Sequence, residues 1–200
     1  NYLKDRNLGM DSDFLFNKVV NRSGLLIKDT FSHTIAFKHK TFTEFMYAKY
    51  HEKKNDINID SRIYDIYWDN IFFFFVGLKR DCPDILKKMI GIRPESNPHR
   101  FHRIINLSNY LLAGFSSPYR IVEDNLHLIM LEAAEFYHQI INKEVEAPFV
   151  NLPEIHILCL FQYIIRDSYG YEFFKNAIDS ISIRIVDSSH NLEIKQYALF

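Results

Sequence analysis

No G-x-x-x-x-G-K-[ST] motif occurs anywhere in the chain, and its six glycines are scattered. No loop of its own can therefore wrap a β-phosphate in backbone amides or present a Ser or Thr hydroxyl to Mg²⁺. Self-sufficient P-loop NTPase chemistry is excluded. Six glycines in 200 residues also fall below the usual share of about 7%, so few tight turns are needed. Cysteine is scarce too: Cys82 and Cys159 stand far apart without a C-x-x-C partner. That excludes a disulfide framework and a zinc ribbon, and predicts free thiols in a reducing compartment. Neither sign of charge prevails, with 24 Lys and Arg against 25 Asp and Glu, so no basic field gathers nucleic acid. The longest apolar run, Ile71 to Leu78, is far short of the ~18 residues of a spanning helix, and the N-terminus lacks a signal-peptide layout. A cytoplasmic location without membrane attachment is expected. No Ser or Cys sits in a recognisable nucleophile elbow.

What is present reads as a mainly α-helical body. A hydrophobic share of 48% over 200 residues suits one large domain or two small ones with a sizeable core. Residues 11–22 predict a helix with Phe14, Leu15, Val19 and Val20 inward and Gly24 as its C-terminal cap. Two short β-prone runs, 25–28 and 34–37, flank the polar turn 29–33 and predict a hairpin. A second helix starts at Thr41, where Glu44 three residues on completes a capping-box pattern; Phe42, Phe45, Met46, Lys49 and Tyr50 fall at helical spacing, the apolar ones as core. The polar break 52–60 predicts a boundary between a unit spanning 1–55 and a helical unit spanning 61–200.

Beyond it the periodicity predicts helices over 61–79, 84–92, 102–115, 118–142, 153–166 and 169–187, with prolines 83, 94, 98, 118, 148 and 153 near the breaks. Ser117 and Pro118 look like an N-cap followed by proline at the first helical position. Short connectors predict a helical array or superhelix, without a fixed-period repeat. The alternation of residues 181–186 leaves a strand open there. The run 98–103, Pro-His-Arg-Phe-His-Arg, is expected to be a solvated helix start rather than a phosphate site or metal site. Glu132, Glu135, His138 and Glu144 are expected on one helix as a polar face; the E-x-x-H spacing of Glu135 and His138 lacks the second pair that a di-iron bundle requires.

The stretch with the most chemical content is 37–45, where a strand-like run meets a helix start and leaves His39 at the junction. First-turn amides and the macrodipole favour an anion there, and the imidazole can donate to the same phosphate. The plain alternative is a surface histidine beside an ordinary helix start. Arg22-Ser23-Gly24-Leu25-Leu26, then Ile35 to Ala48 with Phe37-Lys38-His39-Lys40-Thr41-Phe42-Thr43-Glu44-Phe45 at its centre, then Phe73-Phe74-Phe75-Val76-Gly77-Leu78, follow one another at characteristic spacing. The series, within residues 11–78, resembles the winged-helix and following helical segment of NACHT-type STAND NTPases, the signalling ATPases that include the NOD-like receptors.

The resemblance implies a winged-helix unit with a small β-hairpin followed by an α-helical array. It also implies that His39 contacts a phosphate of ADP and stabilises a closed state. ATP or ADP with Mg would be bound only by the intact protein, whose nucleotide-binding core lies upstream in the same polypeptide, as a chain opening on Asn1 rather than Met would fit. Protein ligands or oligomer partners, and a role in anti-phage or innate defence, are further implications. The chain would then be a switch component without enzymatic activity of its own. The competing reading is a stand-alone helical scaffold that binds a protein or peptide in its grooves.

Overall fold

The computed structural model describes residues 11–29, 31–146 and 151–200. Residues 1–10 of the expected first unit, Thr30 in the hairpin turn and the break at Pro148 lie outside them. The chain is mainly α-helical, with one short antiparallel hairpin followed by an array of helices.

Helix α1 (Ser12–Arg22) starts where Asp11 accepts the amide of Asp13 at 3.0 Å and ends where the Ser23 amide bonds to the Val19 carbonyl. Gly24, at φ +67°, then reverses the chain, a conformation that costs a side-chain-bearing residue dearly. Strand β1 (Leu26–Asp29) pairs antiparallel with β2 (Thr34–Phe37), Leu26 opposite Phe37 and Asp29 opposite Thr34. The turn is closed by the Asp29 carboxylate, which accepts from the Ser32 hydroxyl at 2.6 Å and the Phe31 amide at 2.8 Å. These bonds, the Ser32 one foremost, hold the Asp29 pKa below its ordinary value. The inward face expected for α1 is not formed as a whole. Val20 is buried, but Phe14 and Val19 are 63% and 44% exposed, because a two-stranded ribbon covers only one strip of the helix.

Helix α2 (Lys40–Lys54) packs along α3 (Asp69–Lys79). The fully buried Ala48 lets the helices approach, with Ile71 and Phe75 against it and Phe45 meeting Phe74 edge-on at 5.5 Å. That close approach centres the buried stripe on Glu44 and Ala48, so Met46 and Tyr50 turn outward instead of into the core. The single helix expected over 61–79 is interrupted. Asp60 accepts the Arg62 amide at 3.1 Å and starts a 3-10 turn (Ser61–Tyr64), and Asp65 accepts the Tyr67 amide at 2.8 Å before α3 begins. Both aspartates offer the backbone an alternative to the helix ladder.

Five helices then gather round one: α4 (Pro83–Gly91), α5 (Asn97–Ala113), α7 (Glu154–Tyr169), α8 (Lys175–Val186) and α9 (Leu192–Leu199) all pack on α6 (Tyr119–Ile141). The principal core includes Phe72, Val76, Leu86, Leu111, Leu126 and Phe174; a second collects Ile104, Phe136, Ile140, Ile157 and Phe161. Tyr169 bridges them, its hydroxyl donating to the Ile104 carbonyl at 3.0 Å. Helix α5 begins before the expected residue 102, because Ser96 accepts the His99 amide and Pro98 occupies the first turn, where a missing N–H is harmless. Ser117 is not the N-cap of α6. Its hydroxyl accepts the Cys82 amide at 2.9 Å and so ties the start of α4 to that of α6, with Pro118 at the cap position. Residues 181–186 are helical, since Ile181 and Ile185 share a buried face while Ile183 is exposed. The short 3-10 turn Glu172–Phe174 and α9 were not expected from the sequence; α9 is capped by Asn191, which accepts the Ile194 amide at 2.8 Å.

Gly114 marks the tightest approach between α3, α4 and the end of α5. A Cβ there would stand 2.9 Å from Leu86 Cδ1 and 3.3 Å from Val76 Cγ1, both in the filled core. Gly114→Ala is expected to lower unfolding free energy by about 1–3 kcal/mol through overpacking, read from the urea midpoint at unchanged slope.

Candidate functional site

His39 is itself the N-cap residue of α2, with extended backbone (φ −121°, ψ 135°) and no capping hydrogen bond from its side chain. The capping box expected of Thr41 and Glu44 is therefore absent. The helix starts earlier than Thr41, because β2 runs almost directly into it: the Lys38 amide still bonds to the Leu25 carbonyl at 2.8 Å, and the His39 carbonyl already accepts the Phe42 amide at 3.1 Å. Glu44, freed from capping, turns inward to 3% exposure. Lys40 Nζ stands 2.9 Å from Glu44 Oε1, and this carboxylate raises the lysine pKa. The His39 ring lies exposed beside Phe42, centroids 6.2 Å apart, between two exposed lysines, Lys38 and Lys40. This edge offers an imidazole, the Lys38 cation, a second cation already paired with Glu44, and a helix start, a setting suited to an anion yet only a fraction of a nucleotide site.

The run 98–103 is not wholly solvated as expected: Pro98 is exposed, but residues 99–103 are half-buried, the arginines against α6 and the histidines beside Tyr64 and Asp69. Arg100 donates to Gln139 at 2.6 Å and lies over the Phe136 ring at 4.5 Å. Arg103 pairs with Glu132 at 3.2 Å and donates to the Ile92 carbonyl at 3.1 Å. Burial raises the Glu132 pKa, opposed by the positive charges of Arg103 and Arg100. His99 stacks on Tyr64 at 5.3 Å. Burial lowers the His102 pKa, and the Asp69 carboxylate 3.9 Å away only partly opposes it. A folded histidine pKa below the unfolded one leaves stability intact above the unfolded value. Stability is lost as pH falls through about 6.5 towards the folded value, because the unfolded chain takes up the proton first. His102→Gln should therefore flatten the loss of unfolding free energy between pH 7.5 and 5, measured in urea at each pH. Equal slopes for both proteins would show that the folded ring protonates freely.

The polar face of α6 is used for fastening. Glu135 meets His190 at 3.1 Å and His138 meets Glu193 at 3.0 Å, so both members of the E-x-x-H pair are engaged with the α8–α9 turn and α9. Glu144 is not on this face, because α6 ends at Ile141. Among the described residues no three His, Cys, Asp or Glu side chains are grouped to hold a metal ion. Cys82 is buried, which pushes its thiol pKa up, and Cys159 is exposed; both are free thiols. No helix among the described residues is long and apolar enough to cross a membrane.

Two apolar hollows lie in the array. One of about 590 Å³ separates α6, α7 and α9, and one of about 700 Å³ runs from Tyr64 and Ile66 across α5 to Leu160 and Ile164 of α7. Residues 109–200 match the family model NACHT C-terminal Helical domain 1. The helical end of the chain is similar to that domain. The match runs from the end of α5 through α9 and takes in the whole of the trunk helix α6. It covers just under half of the chain and does not overlap residues 11–78, where His39 stands. No curated protein and no solved structure matches the chain.

Proposed function

We propose that the chain is the regulatory, sensor-side segment of a STAND/NACHT signalling NTPase. In this reading the unit around residues 11–55 latches the nucleotide of an ATPase core upstream in the same polypeptide, and the helical unit from residue 61 onward couples ligand sensing to oligomerisation, in anti-phage or innate defence. The observation that carries the reading is the NACHT-type helical match behind an exposed histidine at an open helix start. A second feature supports it: Phe14, Phe16, Ile27 and Phe31 of α1 and the hairpin are more than half exposed, apolar surface that docking on such a core would cover. A ligand shifts a two-state equilibrium only by its differential affinity. His39 supplies that difference by touching phosphate in the closed state alone.

The test is ADP release from the protein that carries this chain together with its ATPase core. His39→Ala should speed release and raise basal signalling, while His33→Ala, in the hairpin turn, should leave both unchanged. Equal release from wild type and His39→Ala would end the latch reading.

A further inference from the structure

We propose that Tyr67 is a positioning residue for His39, acting through Lys40 as a bracket between the first turn of α2 and the entry to α3; the proposal rests on the latch reading above. His39 has no capping hydrogen bond from its own side chain and is held by its carbonyl's bond to the Phe42 amide and by the Phe42 ring, so what fixes its neighbour Lys40 adds to its placement. Lys40 is fixed from two directions. Its ammonium sits 4.8 Å over the Tyr67 ring and 2.9 Å from Glu44 Oε1, a carboxylate whose side chain is 4% exposed and needs a counter-charge. Asp69, the first residue of α3, adds its attraction to the same ammonium.

Tyr67 itself is anchored on the array side. Its amide is held by Asp65 at 2.8 Å, and next to it Trp68 takes the Arg62 guanidinium of the 3-10 turn on its face at 4.2 Å. The Tyr67 ring is 65% exposed, so burial in the core does not account for its place; the cation does. A shift of α3 along α2 would lift the ring from Lys40 and weaken the charge pair that steadies the helix start. The position of the array is thereby read at His39.

Two measurements test this. In the chain itself, Tyr67→Ala should speed amide hydrogen exchange over residues 42–45 about two- to fivefold, the weight of an exposed cation–π contact. Tyr67→Phe and Lys40→Arg, which keep ring and cation, should exchange as wild type does. In the protein carrying the ATPase core, Tyr67→Ala should speed ADP release by a similar factor, again with rescue by phenylalanine. Unchanged exchange in Tyr67→Ala overturns the bracket whatever the nucleotide does. Faster exchange with unchanged ADP release, while His39→Ala does speed release, overturns the positioning role and leaves the latch standing. If His39→Ala also leaves release unchanged, the latch reading fails and the positioning role with it.

Discussion

Arg103→Ala is expected to lower the unfolding free energy by about 3–5 kcal/mol, the cost of leaving a buried charge without its partner. Arg103 and Glu132 have side chains only 11% and 17% exposed and stand 3.2 Å apart, so solvent screens the pair little. The substitution also removes the donor to the Ile92 carbonyl. Arg100 stays close enough to lower the Glu132 pKa, which puts the expected value at the lower end of the range. The double variant Arg103→Met with Glu132→Leu separates charge from packing. Apolar residues of similar volume remove both desolvation penalties, so the double variant should recover most of the loss. Urea titrations of the wild type, Arg103→Met, Glu132→Leu and the double variant close the cycle. A loss below about 1 kcal/mol for Arg103→Ala would mean that water reaches Glu132 and the seam is not sealed.

On the latch reading, the second large effect is expected at His39. A charge-assisted bond to phosphate is worth about 1.5–3 kcal/mol. Losing it from the closed state alone should speed ADP release and move the open-to-closed ratio by about one to two orders of magnitude. His39 lies exposed at the start of α2, so alanine leaves the core intact and the effect should appear without a change in melting temperature. Faster release accompanied by a fall in melting temperature would point to loosening of the helix start rather than loss of a phosphate contact.

The sequence announced its elements through period and punctuation. Gly24 at positive φ, the two strands of the hairpin and the proline-marked start of α4 follow from residues whose backbone preferences are local, whereas α5 starts at Asn97, ahead of the expected residue 102. Faces were harder to read, because they depend on what packs alongside. Nothing in Phe14 or Val19 tells that a two-stranded ribbon leaves them uncovered, and nothing in Met46 tells that α3 approaches through Ala48. Polar residues were misjudged for the same reason. The run 98–103 has the composition of a wet surface, yet its arginines find Gln139 and Glu132 only once α5 lies against α6. The helix start beside His39 was legible to within a residue, though through a capping box that does not form; Tyr67, brought to Lys40 by the α2–α3 packing, was not legible. The resemblance at 11–78 and the helical match at 109–200 fall on different parts of the chain, and neither contains the other.

Helix α9 has no fully buried residue, and its hold on α6 includes Tyr197 against Tyr137 at 4.7 Å, the His138–Glu193 pair and, from the preceding turn, His190 on Glu135. Such side-chain fastenings open at a small part of the free energy that melts the trunk. Peeling α9 away would bare Ala133, Ala134 and Tyr137 and turn the hollow beneath it into an open furrow. Opening is therefore expected at α9, the leaf at the edge, ahead of the α6 stem.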